Sequence, residues 1–161
     1  MTETVENTLS IIVEEEFPHA PALLWRVIAE GGMMAKWIMP PVGFAPVEGQ
    51  EFSFQTKPAG AWDGTIHCRV LEVRPGEKLV YSWAGGDAGN LGYGSRLNTT
   101  VTFILTPTAT GTRLRVEHAG FEVPRNDVAY QNLNGGWKTV MGRISAVTTE
   151  AGSLTGGAQN G

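Results

Sequence analysis

The stretch TIHCRVLEVRPGEKLVYSW at residues 65–83 decides the fold, because two runs of alternating hydrophobicity flank a proline–glycine pair. In the second run Leu79, Tyr81 and Trp83 fall at every other position, a period typical of a strand with one buried face. Between the runs, Pro75-Gly76 is a dipeptide that favours a tight turn. The stretch therefore predicts an antiparallel hairpin.

The same period of two continues on both sides of this hairpin, from about residue 42 to residue 118, and also marks residues 9–13. Strands separated by such short turns favour an antiparallel meander. The pattern then changes to helical spacing over residues 126–149. Its apolar positions are Leu133, Trp137, Val140, Met141, Ile144 and Val147. With two short helices near residues 21–28 and 33–37, the chain predicts an α+β fold in which a curved antiparallel sheet wraps around a long C-terminal helix and leaves an internal cavity.

The 161 residues, 42% of them hydrophobic, predict one domain with a substantial core. We expect this domain to span residues 8–150, between a flexible N-terminus at 1–7 and a flexible tail at 151–161 that is rich in glycine and polar residues.

The charge pattern excludes several function classes. Twelve Lys and Arg against 16 Asp and Glu give a net charge of −4, and the scattered cations argue against binding to nucleic acid. No apolar run approaches the roughly 20 residues of a membrane span, and the acidic start does not resemble a secretion signal, so we expect a cytoplasmic protein without membrane contact. The lone Cys68 excludes an internal disulfide, and we expect neither a metal nor a cofactor. A homodimer is an option that the sequence leaves open.

Five short segments carry a family resemblance. They are FPHAPALLW at 17–25, KW at 36–37, VLEVRPGEKLVYSW at 70–83, GTRLRVEHAGF at 111–121 and NGGW at 134–137. Over residues 8–149 the chain resembles the START-like, or SRPBCC, superfamily, in its activator of heat-shock-protein ATPase homologue-like branch. The resemblance implies a helix-grip fold with a deep cavity for apolar or amphipathic ligands. Where this family often has a histidine at the start of the helix motif, the chain has Asn134, so no role of that histidine transfers.

Side-chain alternation predicts which residues face the cavity. In residues 62–73 the parity that places Leu71 and Val73 inward also turns His67 and Arg69 inward, whereas a bulge would turn them out. His67 and His118 are the candidate acid–base groups, with a structural hydrogen-bonding role as the alternative. Arg69 could bind an anionic group of a ligand or form a salt bridge to a neighbouring carboxylate such as Glu51 or Glu117.

The remaining candidates are aromatic and methionine side chains that we expect to form the walls of the cavity, although such residues also serve as ordinary core. The full set of predicted ligand-binding residues is Met33, Met34, Trp37, His67, Arg69, Tyr81, Trp83, Phe103, His118, Trp137 and Met141. Gly135 and Gly136, beside Trp137, would let the helix approach the sheet or leave room for a ligand.

Three functions follow as hypotheses. The first is binding of a small hydrophobic or amphipathic molecule, which could be aromatic, by a carrier, sensor or stress-related protein. The second is an enzyme of cyclase, dehydratase or hydrolase type with a histidine as acid or base. The third, a co-chaperone that stimulates a heat-shock ATPase, comes from the resemblance alone.

Overall fold

One antiparallel sheet of six strands and three helices account for residues 8–90, 94–122 and 125–160, which the computed structural model describes. The strands are β1 (Thr8–Phe17), β2 (Glu51–Gln55), β3 (Thr65–Arg74), β4 (Lys78–Gly85), β5 (Leu97–Pro107) and β6 (Thr112–Glu122). The helices are α1 (Pro21–Ala29), α2 (Gly31–Trp37) and α3 (Asp127–Asn160). The predicted α+β helix-grip architecture is confirmed; the N-terminus at 1–7 lies outside the described residues.

The strands follow the order β1-β6-β5-β4-β3-β2, so each chain-consecutive pair from β2 to β6 is adjacent and β1 closes the far edge beside β6. The predicted hairpin at residues 65–83 is the β3–β4 pair, with Val70 opposite Tyr81 and Val73 opposite Leu79. Helix α3 contacts α1, α2 and β1 and lies against the inner face of the sheet.

A register irregularity in β3, between Val70 and Glu72, corrects the predicted inner face. One residue is inserted there, so the parity of the strand differs before and after it. Ile66, Cys68 and Val70 are buried, whereas Leu71 is 46% exposed. The inward orientation predicted for Leu71, His67 and Arg69 is therefore wrong: the two polar side chains are exposed on the outer face.

The centre of the grip is filled by side chains. Six of the predicted cavity residues belong to this packed core, each at most 2% exposed: Met34, Trp37, Tyr81, Phe103, His118 and Met141. Edge-on aromatic contacts, such as the one between Trp37 and Phe103 with ring centroids 5.8 Å apart, hold the middle of the sheet against the helices. Empty space must therefore be sought away from this centre.

Helix α3 is longer than the hydrophobic pattern predicts. The expected end near residue 149 is wrong for the backbone, which stays helical through Asn160. No proline follows residue 125, so every backbone N–H beyond the first turn can donate within the helix. Ala151, two residues beyond the predicted end, is still buried.

Candidate ligand cavity

A cavity of about 210 Å³ lies between the first half of α3 and the end of the sheet where β4 and β5 meet their connecting loop. We call it the tryptophan cavity. The described residues that line it are Ile38, Met39, Thr56, Trp62, Ile66, Trp83, Gly85, Gly86, Gly94, Ser95, Leu97, Ala129, Asn132, Leu133, Gly136, Trp137 and Val140. The wall includes the exposed side chain of Asn132, so the cavity reaches the surface on the α3 side.

Three indole rings from different parts of the chain form much of the wall. Trp62 comes from the loop before β3, Trp83 from β4 and Trp137 from α3. The rings of Trp83 and Trp137 have centroids 6.4 Å apart and are tilted by 55°. The indole N–H of Trp62 donates to the carbonyl oxygen of Thr65 at 2.9 Å, which fixes the ring at the edge of the cavity.

The Trp137 ring is fixed by His118, which lies behind the wall. The indole N–H of Trp137 donates to Nδ1 of His118 at 2.9 Å, so the imidazole proton resides on Nε2. Nε2 then donates to Oγ1 of Thr99 at 2.7 Å, and that hydroxyl donates to the carbonyl oxygen of Trp83 at 2.8 Å. Burial lowers the pKa of His118 from its ordinary value near 6.5 to about 3, so the ring is neutral.

This network gives His118 the structural role that the sequence left as an alternative. Both ring nitrogens are engaged with protein atoms, and neither is free for proton transfer to a ligand. The other acid–base candidate, His67, lies on the outer face. Neither histidine therefore presents an acid–base group to the tryptophan cavity.

Two loops that contribute residues to the cavity wall are joined through Asn90. Its amide nitrogen donates to the carbonyl oxygen of Ala59 at 2.7 Å and to that of Gly94 at 3.1 Å. Gly94 has a positive φ of 86°, and a Cβ there would lie 2.8 Å from the Cβ of Ala59. Glycine is thus required where the two loops meet.

Of the predicted ligand-binding residues, only Trp83 and Trp137 line this cavity. The six core residues named above lie behind it, and Met33 is half-buried and packs against the core. On the outer face, Arg69 pairs with Glu51 at 3.0 Å, as the salt-bridge alternative had it. This exposed pair adds little to stability, since such pairs contribute about 0–1 kcal/mol.

The sequence reading missed most of the wall, but α3 carried a signal. Leu133, Gly136, Trp137 and Val140 stand at i, i+3, i+4 and i+7 and share one helix face, and all four line the cavity. The predicted room beside Trp137 exists at Gly136: a Cβ built there meets no atom within 4 Å. Gly135 is exposed and lies outside the wall.

The chemistry of the wall is apolar and uncharged. None of its described residues is Lys, Arg, Asp, Glu or His, and its polar side chains are Thr56, Ser95 and Asn132. Across the described part of the chain, His, Cys, Asp and Glu form no group of three or more that could hold a metal ion. Over the same residues, no helix combines the length and hydropathy needed to cross a membrane.

Comparison with known proteins agrees with this architecture. Residues 18–149 match the family model described as Activator of Hsp90 ATPase homolog 1-like protein. A Mesorhizobium loti protein of known crystal structure is 31% identical, with a TM-score of 0.75 over 88% of this chain and 98% of its own. No curated protein sequence matches the chain.

Two more distant structures share the fold. A Bacillus halodurans protein is 20% identical, with a TM-score of 0.69 over 88% of this chain and 99% of its own. DynU16, a protein of the dynemicin biosynthetic locus, is 21% identical, with a TM-score of 0.66 over 85% of this chain but only 46% of its own.

Proposed function

Because the chain belongs to the Activator of Hsp90 ATPase homolog 1-like family, whose fold commonly binds hydrophobic ligands, we propose that it binds a small hydrophobic molecule in the tryptophan cavity. The observation that carries the proposal is the apolar cavity of about 210 Å³ beside Trp137. A dry cavity of about 150 Å³ lined by aliphatic and aromatic side chains holds benzene. The tryptophan cavity therefore has room for a ligand of one or two rings.

Binding would come from the burial of apolar ligand surface, at about 25 cal/mol per Å² before the entropic cost of association. A carrier or sensor role fits this geometry, because an uncharged wall with few polar groups orients a ligand without attacking it. Proton transfer by a histidine gains no support from the positions of His67 and His118. A cytoplasmic location stays a prediction, a homodimer stays an option, and stimulation of a heat-shock ATPase stays the least favoured of the three hypotheses.

The test fills the cavity from the helix side. Gly136→Leu places a side chain into the open space of the wall, whereas Gly135→Leu, one position earlier, places the same side chain on the exposed face. Both substitutions remove a helix glycine and should raise stability by up to about 1 kcal/mol. Loss of binding by one variant alone is then not a consequence of unfolding.

Naphthalene serves as the probe, with its affinity measured by calorimetry and by thermal stabilisation of the protein. We expect wild type and Gly135→Leu to bind it, and Gly136→Leu to bind at least tenfold more weakly. Equal binding by all three proteins would show that the cavity is not the site. The absence of binding to wild type would contradict the proposed function for ligands of this size.

A further inference from the structure

The three indole N–H groups in the wall differ in their hydrogen bonding. The N–H of Trp62 donates to the carbonyl oxygen of Thr65, and that of Trp137 donates to Nδ1 of His118. That of Trp83 has no hydrogen-bond partner among the described residues, although this side chain is only 3% exposed. An N–H that the protein leaves without an acceptor can donate to water or to a ligand in the cavity.

The Trp83 N–H is not sealed inside the protein. Among the described residues, the hydroxyl of Tyr81 is the single buried side-chain polar atom that is both sealed from solvent and unpartnered. The unpartnered Trp83 N–H is not sealed in this way, and its ring forms part of the cavity wall. A ligand in this cavity lies against the ring that carries this donor.

We propose that the ligand is an uncharged aromatic molecule with an oxygen that accepts a hydrogen bond from the indole N–H of Trp83. The inference rests on the function proposed above and narrows its ligand class. An acceptor such as a ketone oxygen satisfies a donor that the protein itself leaves unused. Trp83 is then a specificity-determining residue, which favours ligands that carry an acceptor over plain hydrocarbons of the same shape.

The proposal that the ligand is uncharged follows from the residues of the cavity wall. Its described residues include no cation, so an ionised carboxylate would be buried with neutral donors alone and without a counter-charge. The aromatic character follows from the indoles, since Trp62, Trp83 and Trp137 offer ring faces and edges that pack best against another ring.

The experiment compares two ligands of nearly the same shape, tetralin and 1-tetralone, which differ by one ketone oxygen. The ratio of their affinities is measured by calorimetry in wild type, Trp83→Phe and Trp62→Phe. Trp62→Phe is the matched control, because it also shrinks a wall ring but removes an N–H that already donates to Thr65. Comparing ratios cancels the unequal partitioning of the two ligands from water.

We expect Trp83→Phe to lower the relative affinity for 1-tetralone about tenfold, and Trp62→Phe to leave the ratio unchanged within twofold. A second measurement needs no variant at this buried position. In the nitrogen–proton NMR spectrum of wild type, the Trp83 indole peak should move downfield with 1-tetralone and not with tetralin. A carboxylate of similar size, 1-naphthoate at pH 7, should bind at least tenfold more weakly than 1-tetralone.

The outcomes separate the two proposals. Both ligands could bind with an affinity ratio that is the same in wild type and Trp83→Phe, and with no movement of the Trp83 indole peak. The inference would then be wrong, and the proposed function would stand. Binding of 1-naphthoate as tight as that of 1-tetralone would overturn the uncharged class. If neither tetralin nor 1-tetralone binds, the proposed function itself fails, and this inference with it.

Discussion

Tyr81, in the middle of β4, pairs a well-packed ring with an unsatisfied hydroxyl. Its ring contacts those of Phe52 and Phe103, with centroids 5.2 and 5.9 Å away. Burial raises the pKa of its hydroxyl well above the usual value, so the group is neutral but still polar. A sealed hydroxyl without a partner costs about 1–3 kcal/mol, whereas the ring contributes favourable burial.

Removal of this hydroxyl should therefore stabilise the protein. We expect Tyr81→Phe to raise the free energy of unfolding by about 1 kcal/mol, measured by urea denaturation at pH 7. Tyr130→Phe is the control, since that hydroxyl donates to the carbonyl oxygen of Ser10 at 3.5 Å and its loss should change stability by less than about 0.5 kcal/mol. A loss of stability in Tyr81→Phe would contradict the unpartnered hydroxyl.

Strand β3 shows how far a local pattern predicts an element. Alternation is a local property, so it correctly predicted the hairpin with β4 and its turn at Pro75-Gly76. The irregularity between Val70 and Glu72 depends on pairing with the next strand, and no glycine or proline marks it in the sequence. One inserted residue reversed the inferred face of His67 and Arg69, which removed two predicted polar groups from the interior.

For the cavity too, the local pattern of α3 predicted only part of the wall. Its apolar periodicity predicted the helix, and Gly136 beside Trp137 predicted the room at the wall. The opposite wall is formed by Trp62, Leu97 and the loop glycines, which meet α3 only after the chain has folded. Such contacts between distant segments have no local signature, so the sequence placed the cavity in the centre that side chains fill.

The start of α3 depends on one buried side chain, Asn126, which precedes the helix. Its amide nitrogen donates to Oγ of Ser95 at 3.0 Å and to the carbonyl oxygen of Arg96 at 2.9 Å. Its side-chain oxygen accepts from the backbone N–H of Glu122 at 2.8 Å. The residue thus joins the end of β6, the approach to β5 and the first turn of the helix that walls the cavity.

Asn126→Ala should cost about 2–3 kcal/mol of unfolding free energy, because it leaves three polar groups of two segments, next to β5 and at the end of β6, without their partner. The measurement is urea denaturation, with Asn132→Ala as the control. That side chain is exposed on the same helix, and its removal should cost less than about 0.5 kcal/mol. A small effect of Asn126→Ala would mean that water replaces its hydrogen bonds.

For the whole molecule, the network around His118 joins the sheet to the helix. It connects β6, which carries the histidine, to Thr99 on β5, to the backbone of Trp83 on β4 and to Trp137 on α3. Two of these residues line the tryptophan cavity, so the network also fixes the distance between its walls. Charging the ring would add a proton to Nδ1, which accepts from Trp137. The hydrogen bond between β6 and α3 would then be lost.

Acid should therefore weaken the fold through His118. Its pKa is about 3 in the folded protein and near 6.5 when unfolded, so the unfolded chain binds the additional proton between these values. The contribution of the neutral ring is complete above pH 6.5 and is lost as the pH falls towards 3, at up to about 1.4 kcal/mol per pH unit. From pH 7.5 to pH 5, wild type should lose about 2 kcal/mol more unfolding free energy than His118→Gln, whose amide can accept from Trp137 and donate to Thr99 without titrating. Urea denaturation of both proteins across this range measures the difference; parallel pH profiles would show that the ring is not held neutral in the folded state.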